Sequence, residues 1–390
     1  MTSAPLGHPV YRDMPATIFE KMSARARETG AINLGQGYPD AQGPEDILRA
    51  AAEALMNRSN QYPPSGGLPE LRAAVATHYG RHQGLALGPD EVIVTSGATE
   101  AIAASLFALV QPGDEVLLLA PLYDAYLPLV ERAGGIARVI QLMPPDWRVT
   151  REALEAEVGP RTRLLILNNP LNPSGSVMDE SDLSMLADFC VEHDLIAICD
   201  EVWEHVTFDG RAHQPLMRFP GMAERTVKIG SAGKIFSLTG WKIGWMCAAP
   251  PVARLLGRAH QFLTFTSAPN LQWAVAEGLG KPDSWFADMR AGYQASRDRL
   301  VDGLRAGGYD VQRSAATWFV TVDLRKSGMA LDDVEFCERI IGEAGVAAIP
   351  ISAFYPDAAV KHLVRLCFAK SDPVIDEAVA RLCRFRESFR

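Results

Sequence analysis

Between Asp90 and Pro250 the chain alternates short apolar runs with polar or glycine-rich breaks. The runs lie in DEVIVTSGATEAI, DEVLLLAPLYDAY, RLLILNNPLNPSG, DLIAICDEVW, TVKIGSAGK and IGWMCAAP. Stretches of helical spacing fall between them, such as Thr99–Val110 and Asp179–His193, the second opened by Asp179 as an N-cap. Strands and helices in this alternation predict an α/β architecture with a largely parallel sheet covered on both faces. In such sheets ligands sit at the carboxyl ends of the strands.

What those strands end in is chemically specific: Ser96, Gly97, Ala98 and Thr99, then Tyr123, Asn172, Asp200 and the Ser231–Lys234 segment. Small phosphate-cradling residues, an aromatic ring, an amide, a carboxylate and an amine together predict a pocket. After Lys281 the pattern changes. A long amphipathic stretch, WFADMRAGYQASRDRLVDGLRAGGY, precedes ATWFVTVDL, a helical DDVEFCERIIGEAG, then VAAIPISAF, HLVRLCFAK and a closing helix. This predicts a smaller α+β unit. The expected division is an N-terminal arm contributing to the small domain over 1–40, a large domain over 41–281 and a small C-terminal domain over 282–390. In the arm, the glycines and Pro39 of INLGQGYPD mark a tight turn.

Composition narrows the function classes. The chain has 390 residues, 48% of them apolar, enough for two domains with a sizeable core. A formal charge of −9 without runs of like charge argues against nucleic acid or anionic lipid as partner. Six scattered cysteines without metal spacing read as buried thiols in a reducing compartment. The start, MTSAPLGHPVYRDMP, has no basic segment leading into an apolar one, and no apolar run reaches membrane-spanning length. A cytoplasmic protein is the expectation.

The stretch KIGSAGKIFSLTGWKIGW places Lys234 among small and apolar residues. A loop lysine is ordinarily solvated. An amine in a dry site has a lowered pKa instead, and when neutral it forms a Schiff base with an aldehyde or ketone. Gly230, Gly233, Gly240 and Gly244 around it indicate close backbone approach, and Ser231 and Lys242 suit a phosphate. Asp200 ends a hydrophobic run, where it serves either as a turn or N-cap residue or as partner to a protonated ring nitrogen. SGATEA reads equally as a capped helix start or as a phosphate-binding helix N-terminus.

Taken in order, INLGQGYPD, NQYPPSGGLPELR, VTSGATEAI, PLYDAY, NNPLNPSG, CDEVWEH, SAGKIFSLTGWKIGW and VRLCFAK resemble the fold-type-I, pyridoxal-phosphate-dependent class I/II aminotransferases, in the branch with the kynurenine, glutamine and methionine enzymes. The resemblance spans nearly the whole chain. It implies that Lys234 carries the cofactor as a Schiff base and shuttles the proton, that Asp200 pairs with the pyridine nitrogen, that Asn172 bonds the ring's phenolic oxygen and that Tyr123 stacks on its face. It further implies that Gly97, Ala98, Thr99, Ser231, Lys242 and a partner subunit's Tyr62 hold the phosphate, while Arg365 and Gly37 receive the substrate carboxylate. A homodimer with shared sites and ping-pong exchange between an amino acid and a 2-oxo acid follow from the same resemblance. Lys242 stands where many relatives have arginine, as is common in this branch.

The chain departs from the family at Trp203, where most members have tyrosine. An indole offers one N–H on a larger ring in place of a hydroxyl, so the cofactor's tuning is expected to differ. No second arginine for a dicarboxylate is identifiable, which favours neutral or aromatic substrates. A carbon–sulfur β-lyase on the same fold is the nearest alternative, and a non-catalytic cofactor-binding regulator is the alternative from another class. Elsewhere the plain readings prevail. His78 and His82, four apart on a helix, read as a solvated face for want of a third metal ligand nearby. GQG at 35–37 lacks the strand and helix of a dinucleotide site. Trp241, Trp245, Trp273, Trp285 and Trp318 read as core and subunit interface.

Overall fold

The computed structural model describes residues 6–12 and 14–389. Residues 1–5 and Asp13, part of the stretch inspected above for a leader, lie outside the described residues. A seven-stranded sheet forms the centre, in the order Val92–Thr95, Gly244–Cys247, Thr226–Ser231, Ile196–Asp200, Thr162–Asn168, Glu115–Ala120, Ile136–Gln141. Five strands, from Thr226–Ser231 to the Ile136–Gln141 edge, run parallel. Gly244–Cys247 runs antiparallel to both neighbours. Every residue of Glu115–Ala120 is buried, as both faces of a helix-covered parallel strand must be.

The register aligns the predicted chemistry. Asn168 lies opposite Asp200, and Gly244 lies between Thr95 and Ser231, so the site residues leave neighbouring strands at one edge of the sheet. The predicted helices form as Gly97–Leu109 and Glu180–Glu192. Asp179 caps the second by accepting from Asp182 N at 2.9 Å, while the Asp182 carboxylate accepts from Asp179 N. Such a cap contributes about 0.5–2 kcal/mol.

Beyond the long helix Asp283–Ala306, a four-stranded antiparallel sheet runs in the order Ile349–Pro350, Leu363–Cys367, Phe319–Asp323, Asp310–Gln312. The N-terminal strand Ile32–Asn33 pairs in parallel with Val346–Ala347, joining the N-terminal arm to the C-terminal part of the chain. Asn33 Oδ1 accepts from the amides of Gly35 and Gln36 and fixes the turn expected at INLGQGYPD. Five cysteines are buried, Cys383 is half-buried, and all six are free. Trp245 and Trp318 are fully buried.

One expectation is overturned. His78 and His82 do not form a solvated face: His78 is 2% exposed and His82 half-buried. The His78 Nδ1–H donates to Leu279 O at 3.2 Å, which leaves Nε2 to accept from His205 Nε2–H at 2.7 Å. Burial, and then the neighbouring His82, lowers the His78 pKa to about 3, so the ring is neutral. The covering groups come from the Pro269–Leu279 helix and the loop after Asp200, which a local reading of the helix does not include.

Candidate active site

The sheet edge and the antiparallel unit enclose a cleft of about 310 Å³. It brings together Gly37, Gly97, Ala98, Thr99, Tyr123, Asn172, Asp200, Trp203, Ser231, Lys234, Lys242 and Arg365. Tyr62 is the one predicted residue outside it. That side chain is 83% exposed in the loop before the Pro69–Gln83 helix, its ring edge-on to Phe265.

Lys234 sits on a single helical turn, Ala232–Ile235, directly after the Thr226–Ser231 strand. Its Nζ lies 4.9 Å from the centre of the Trp203 ring and 5.4 Å from that of Trp318, with the two indoles edge to face. Burial lowers its pKa to about 8, against the opposing pull of Asp200. In protein without cofactor, labelling of Lys234 by a small amine-reactive reagent should therefore rise through pH 8. Exposed lysines should respond only toward their ordinary pKa of about 10.4. Site-resolved mass spectrometry across that range checks this.

Asp200 ends its strand fully inside the protein. One oxygen, Oδ2, accepts from Tyr126 Oη–H at 2.6 Å, and the other, Oδ1, is buried with no hydrogen-bond partner among the described residues. Burial raises its pKa and the Tyr126 bond opposes that rise. A carboxylate oxygen left in this state calls for a positively charged N–H donor from a ligand. Asn168 supports the arrangement. Its Nδ2 donates to Asp200 O at 3.0 Å, and its Oδ1 accepts from Asn172 N at 2.9 Å.

The helix Gly97–Leu109 begins without a side-chain cap at Ser96, so its first-turn amides are not taken by the ordinary cap weighed above. Gly97 has φ 75°, and a Cβ there would stand 3.1 Å from Lys242 Nζ. At Gly244 a Cβ would meet Gly97 C at 2.8 Å, so both glycines are needed for the loop and the lysine to close on each other. Ser231, Lys242 and the first-turn residues Gly97, Ala98 and Thr99 thus line one cleft and offer a hydroxyl, an amine and amides to one ligand. Tyr123, its hydroxyl 3.3 Å from Thr99 Oγ1, lines the same cleft.

Arg365 is 2% exposed, and burial lowers its pKa to about 10. Its Nη1 donates to Asn172 Oδ1 at 2.9 Å and its Nη2 to Gly35 O at 2.7 Å. The guanidinium lies 4.0 Å from the centre of the Phe319 ring, and a Cβ on Gly37 would come within 2.9 Å of that ring. Arg365 therefore faces the cleft as a held cation with no carboxylate in ion-pair contact among the described residues. Because Asn172 Oδ1 is taken by Arg365, its amide N–H groups are what remain for a ligand.

Sequence reasoning missed Tyr126, Asn168, Phe319, Asp124 and the buried lysine Lys228. Tyr126 stands in the quoted PLYDAY, three residues after Tyr123, where a tight turn closed by Tyr126 N donating to Tyr123 O at 3.0 Å brings the two rings together edge to face. Lys228 has no exposed surface, and its Nζ bonds Glu204 Oε2 at 2.8 Å and also Glu201 Oε2. These two glutamates flank Trp203 in sequence, so the lysine ties down the loop that carries the indole.

An amine, a carboxylate and a guanidinium placed this way, at the carboxyl edge of a sheet with this strand order, define a fold-type-I transferase. The chain belongs to the aminotransferase class I and II family, whose profile matches residues 29–382, and it is an aminotransferase. It is 44% identical over 383 residues to the probable N-succinyldiaminopimelate aminotransferase of Mycobacterium tuberculosis, covering 95% of this chain and 96% of that one. A solved structure of N-succinyldiaminopimelate aminotransferase from that organism superposes with a TM-score of 0.94 at 44% identity, over 97% of this chain and 99% of the other. The methionine aminotransferase of Escherichia coli is 39% identical, with 94% and 95% covered. Kynurenine–oxoglutarate transaminase 1 of Mus musculus is 33% identical, with 93% of each covered.

Proposed function

We propose that this aminotransferase uses pyridoxal phosphate in the Lys234 cleft and exchanges the amino group of a neutral or aromatic α-amino acid with a 2-oxo acid in two half-reactions. The observation that carries this reading is the unpartnered Asp200 Oδ1 in the same cleft as a lysine amine of pKa about 8. When bound, pyridoxal phosphate supplies an aldehyde that condenses with amines and a ring that takes up the electron pair left at the substrate's α-carbon.

The residues are suited to that group. Asp200 holds the ring N–H on its free oxygen, and Tyr126 keeps the carboxylate in place. Tyr123 covers one ring face, and Asn172 donates to the phenolic oxygen. The amides of Gly97, Ala98 and Thr99, with Ser231 and Lys242, hold the phosphate. Lys234 Nζ takes the α-proton and returns it, a task for which a pKa near neutrality is best. Trp203, without the hydroxyl of the tyrosine that most of the family is expected to carry there, packs beside the amine. Arg365 and Gly37 receive the carboxylate.

The cleft's lining also supports the substrate class. Its cations are Lys234, Lys242 and Arg365, all engaged in these roles, while Phe19, Trp203 and Phe319 offer apolar surface and Asp124 disfavours a second carboxylate. The exposure of Tyr62 supports a homodimer in which it completes the partner's phosphate site. No described helix is long and apolar enough to cross a membrane. The buried free thiols support a reducing, cytoplasmic setting, and the separate antiparallel sheet supports a small domain beyond residue 281.

Mixing the loaded protein with single amino acids, without acceptor, tests the reading. The cofactor's absorbance should convert with one 2-oxo acid released per site, fastest for methionine or aromatic donors and slowest for aspartate and glutamate. Pyruvate and ammonia beyond one per site would instead mark a lyase. Tight cofactor binding without turnover would mark a regulator.

A further inference from the structure

A second cleft, of about 640 Å³, lies outside the Lys234 site, between the end of the Pro69–Gln83 helix, the loop following Asp200 and the Asp283–Ala306 helix. Its charges are unbalanced. Two arginines line it, Arg211 exposed and Arg290 half-buried, and neither guanidinium has a hydrogen bond or an ion pair among the described residues. The acids there are already committed. Glu204 accepts from Lys228, Tyr79 and Gln83. Asp298 is paired with Arg297 and Arg313. Asp283, whose charge acts on Arg290, is engaged by Arg81 at 3.2 Å.

The histidines offer no counter-charge. His205 and His82 are both held toward the neutral form, mainly by burial. Gln294 accepts from Asp209 N through Oε1 at 2.8 Å, which leaves its amide N–H groups as donors on the cleft wall. A guanidinium does not shed its proton to escape burial, so its charge is met by solvent or by an anion. Gln83 Oε1 and His213 Nδ1 are also unpartnered on this wall among the described residues but are buried away from the opening, so in a protein of net charge −9 the two guanidiniums and the Gln294 amide give the roomy cleft the polarity of an anion site.

We propose that this cleft is a second ligand site, which takes a small oxyanion, a phosphate or carboxylate group, on the Arg290 guanidinium with Arg211 and the Gln294 amide around it. The proposal is independent of the role assigned to the Lys234 cleft. Its wall at Glu204 and His205 belongs to the loop that carries Trp203, so a bound anion lies on the reverse side of the active-site loop.

Inorganic phosphate is the probe of choice, titrated calorimetrically at constant ionic strength into protein saturated with pyridoxal phosphate so that the Gly97–Thr99 loop is filled. Saturable binding of one phosphate per chain is expected. Arg290→Gln should weaken it about tenfold or more, Arg290→Lys less, and Arg211→Gln to an intermediate degree, with cofactor absorbance and unfolding midpoint unchanged. Displacement of the phosphate by succinate would extend the site to carboxylates, and retention would confine it to tetrahedral oxyanions. Absence of saturable binding, or equal affinity in Arg290→Gln, would overturn the proposal and leave Arg290 as a solvated arginine.

Discussion

Lys234→Ala should lose amino-group transfer by about four orders of magnitude or more, because in the proposed function one amine both bonds the cofactor and moves the proton. The fold should not suffer. The side chain is half-buried at the cleft and its charged form is disfavoured there, so removing it relieves a desolvation cost. Steady-state rates with the best donor, set beside thermal unfolding of the same preparation, test both halves. A variant that is inactive but unfolded, or folded with near-normal turnover, would contradict the role given to this residue.

The largest stability effect is expected at Lys228. Lys228→Met leaves Glu201 and Glu204, both with fully buried side chains, without the lysine they share, and only Glu201 keeps an ion-pair partner, in His213. Breaking a buried pair by removing one partner costs about 3–5 kcal/mol, which urea unfolding resolves. The effect should depend on pH. Burial alone would raise the Glu201 pKa, but Lys228 and His213 more than offset this and bring it from 4.5 down to about 2. A carboxyl whose folded pKa is lowered contributes stability above its unfolded pKa and loses it as pH falls. The unsubstituted protein should therefore lose this contribution between about pH 4.5 and 2. The deficit of Lys228→Met should be greatest near neutrality and narrow in acid as the stranded carboxylates take up protons. A deficit independent of pH would show that packing, not charge, is the main contribution of Lys228.

Much of the sheet was legible because fully buried strands must be short and apolar, and the residue after each one stands at the ligand edge. Ile136–Gln141 escaped notice for a physical reason. It is an edge strand, only partly buried, and carries Arg138 out to Glu115. The reversed direction of Gly244–Cys247 is set by how the chain turns after Ser231, which composition does not encode. The site divides in the same way. Lys234, Asp200 and Arg365 announce themselves as charges inside apolar runs, whereas Tyr126 and Phe319 acquire meaning only from the side chains they meet across the fold. Lys228 shared the KIGSAGK signal with Lys234, and its glutamates lie on the neighbouring strand's loop. His78 was misread because its cover comes from Leu279 and His205, far along the chain.

The pairing of Ile32–Asn33 with Val346–Ala347 also sets an order of events during synthesis. About 310 residues separate the two strands, a delay of roughly 15 to 60 s at a ribosomal pace of about 5–20 residues per second. Throughout that interval the arm has no strand to join, and Gly35 has no Arg365 to hold, since the arginine is made later still. The central sheet, complete by Cys247, can form on the ribosome, but the Arg365 side of the cleft, to which the substrate's carboxylate is assigned in the proposed function, can be assembled only when the chain is almost finished. A nascent or truncated chain would thus carry Asp200, Ser231 and Lys234 in place on the sheet well before Arg365 could close the other side of the cleft.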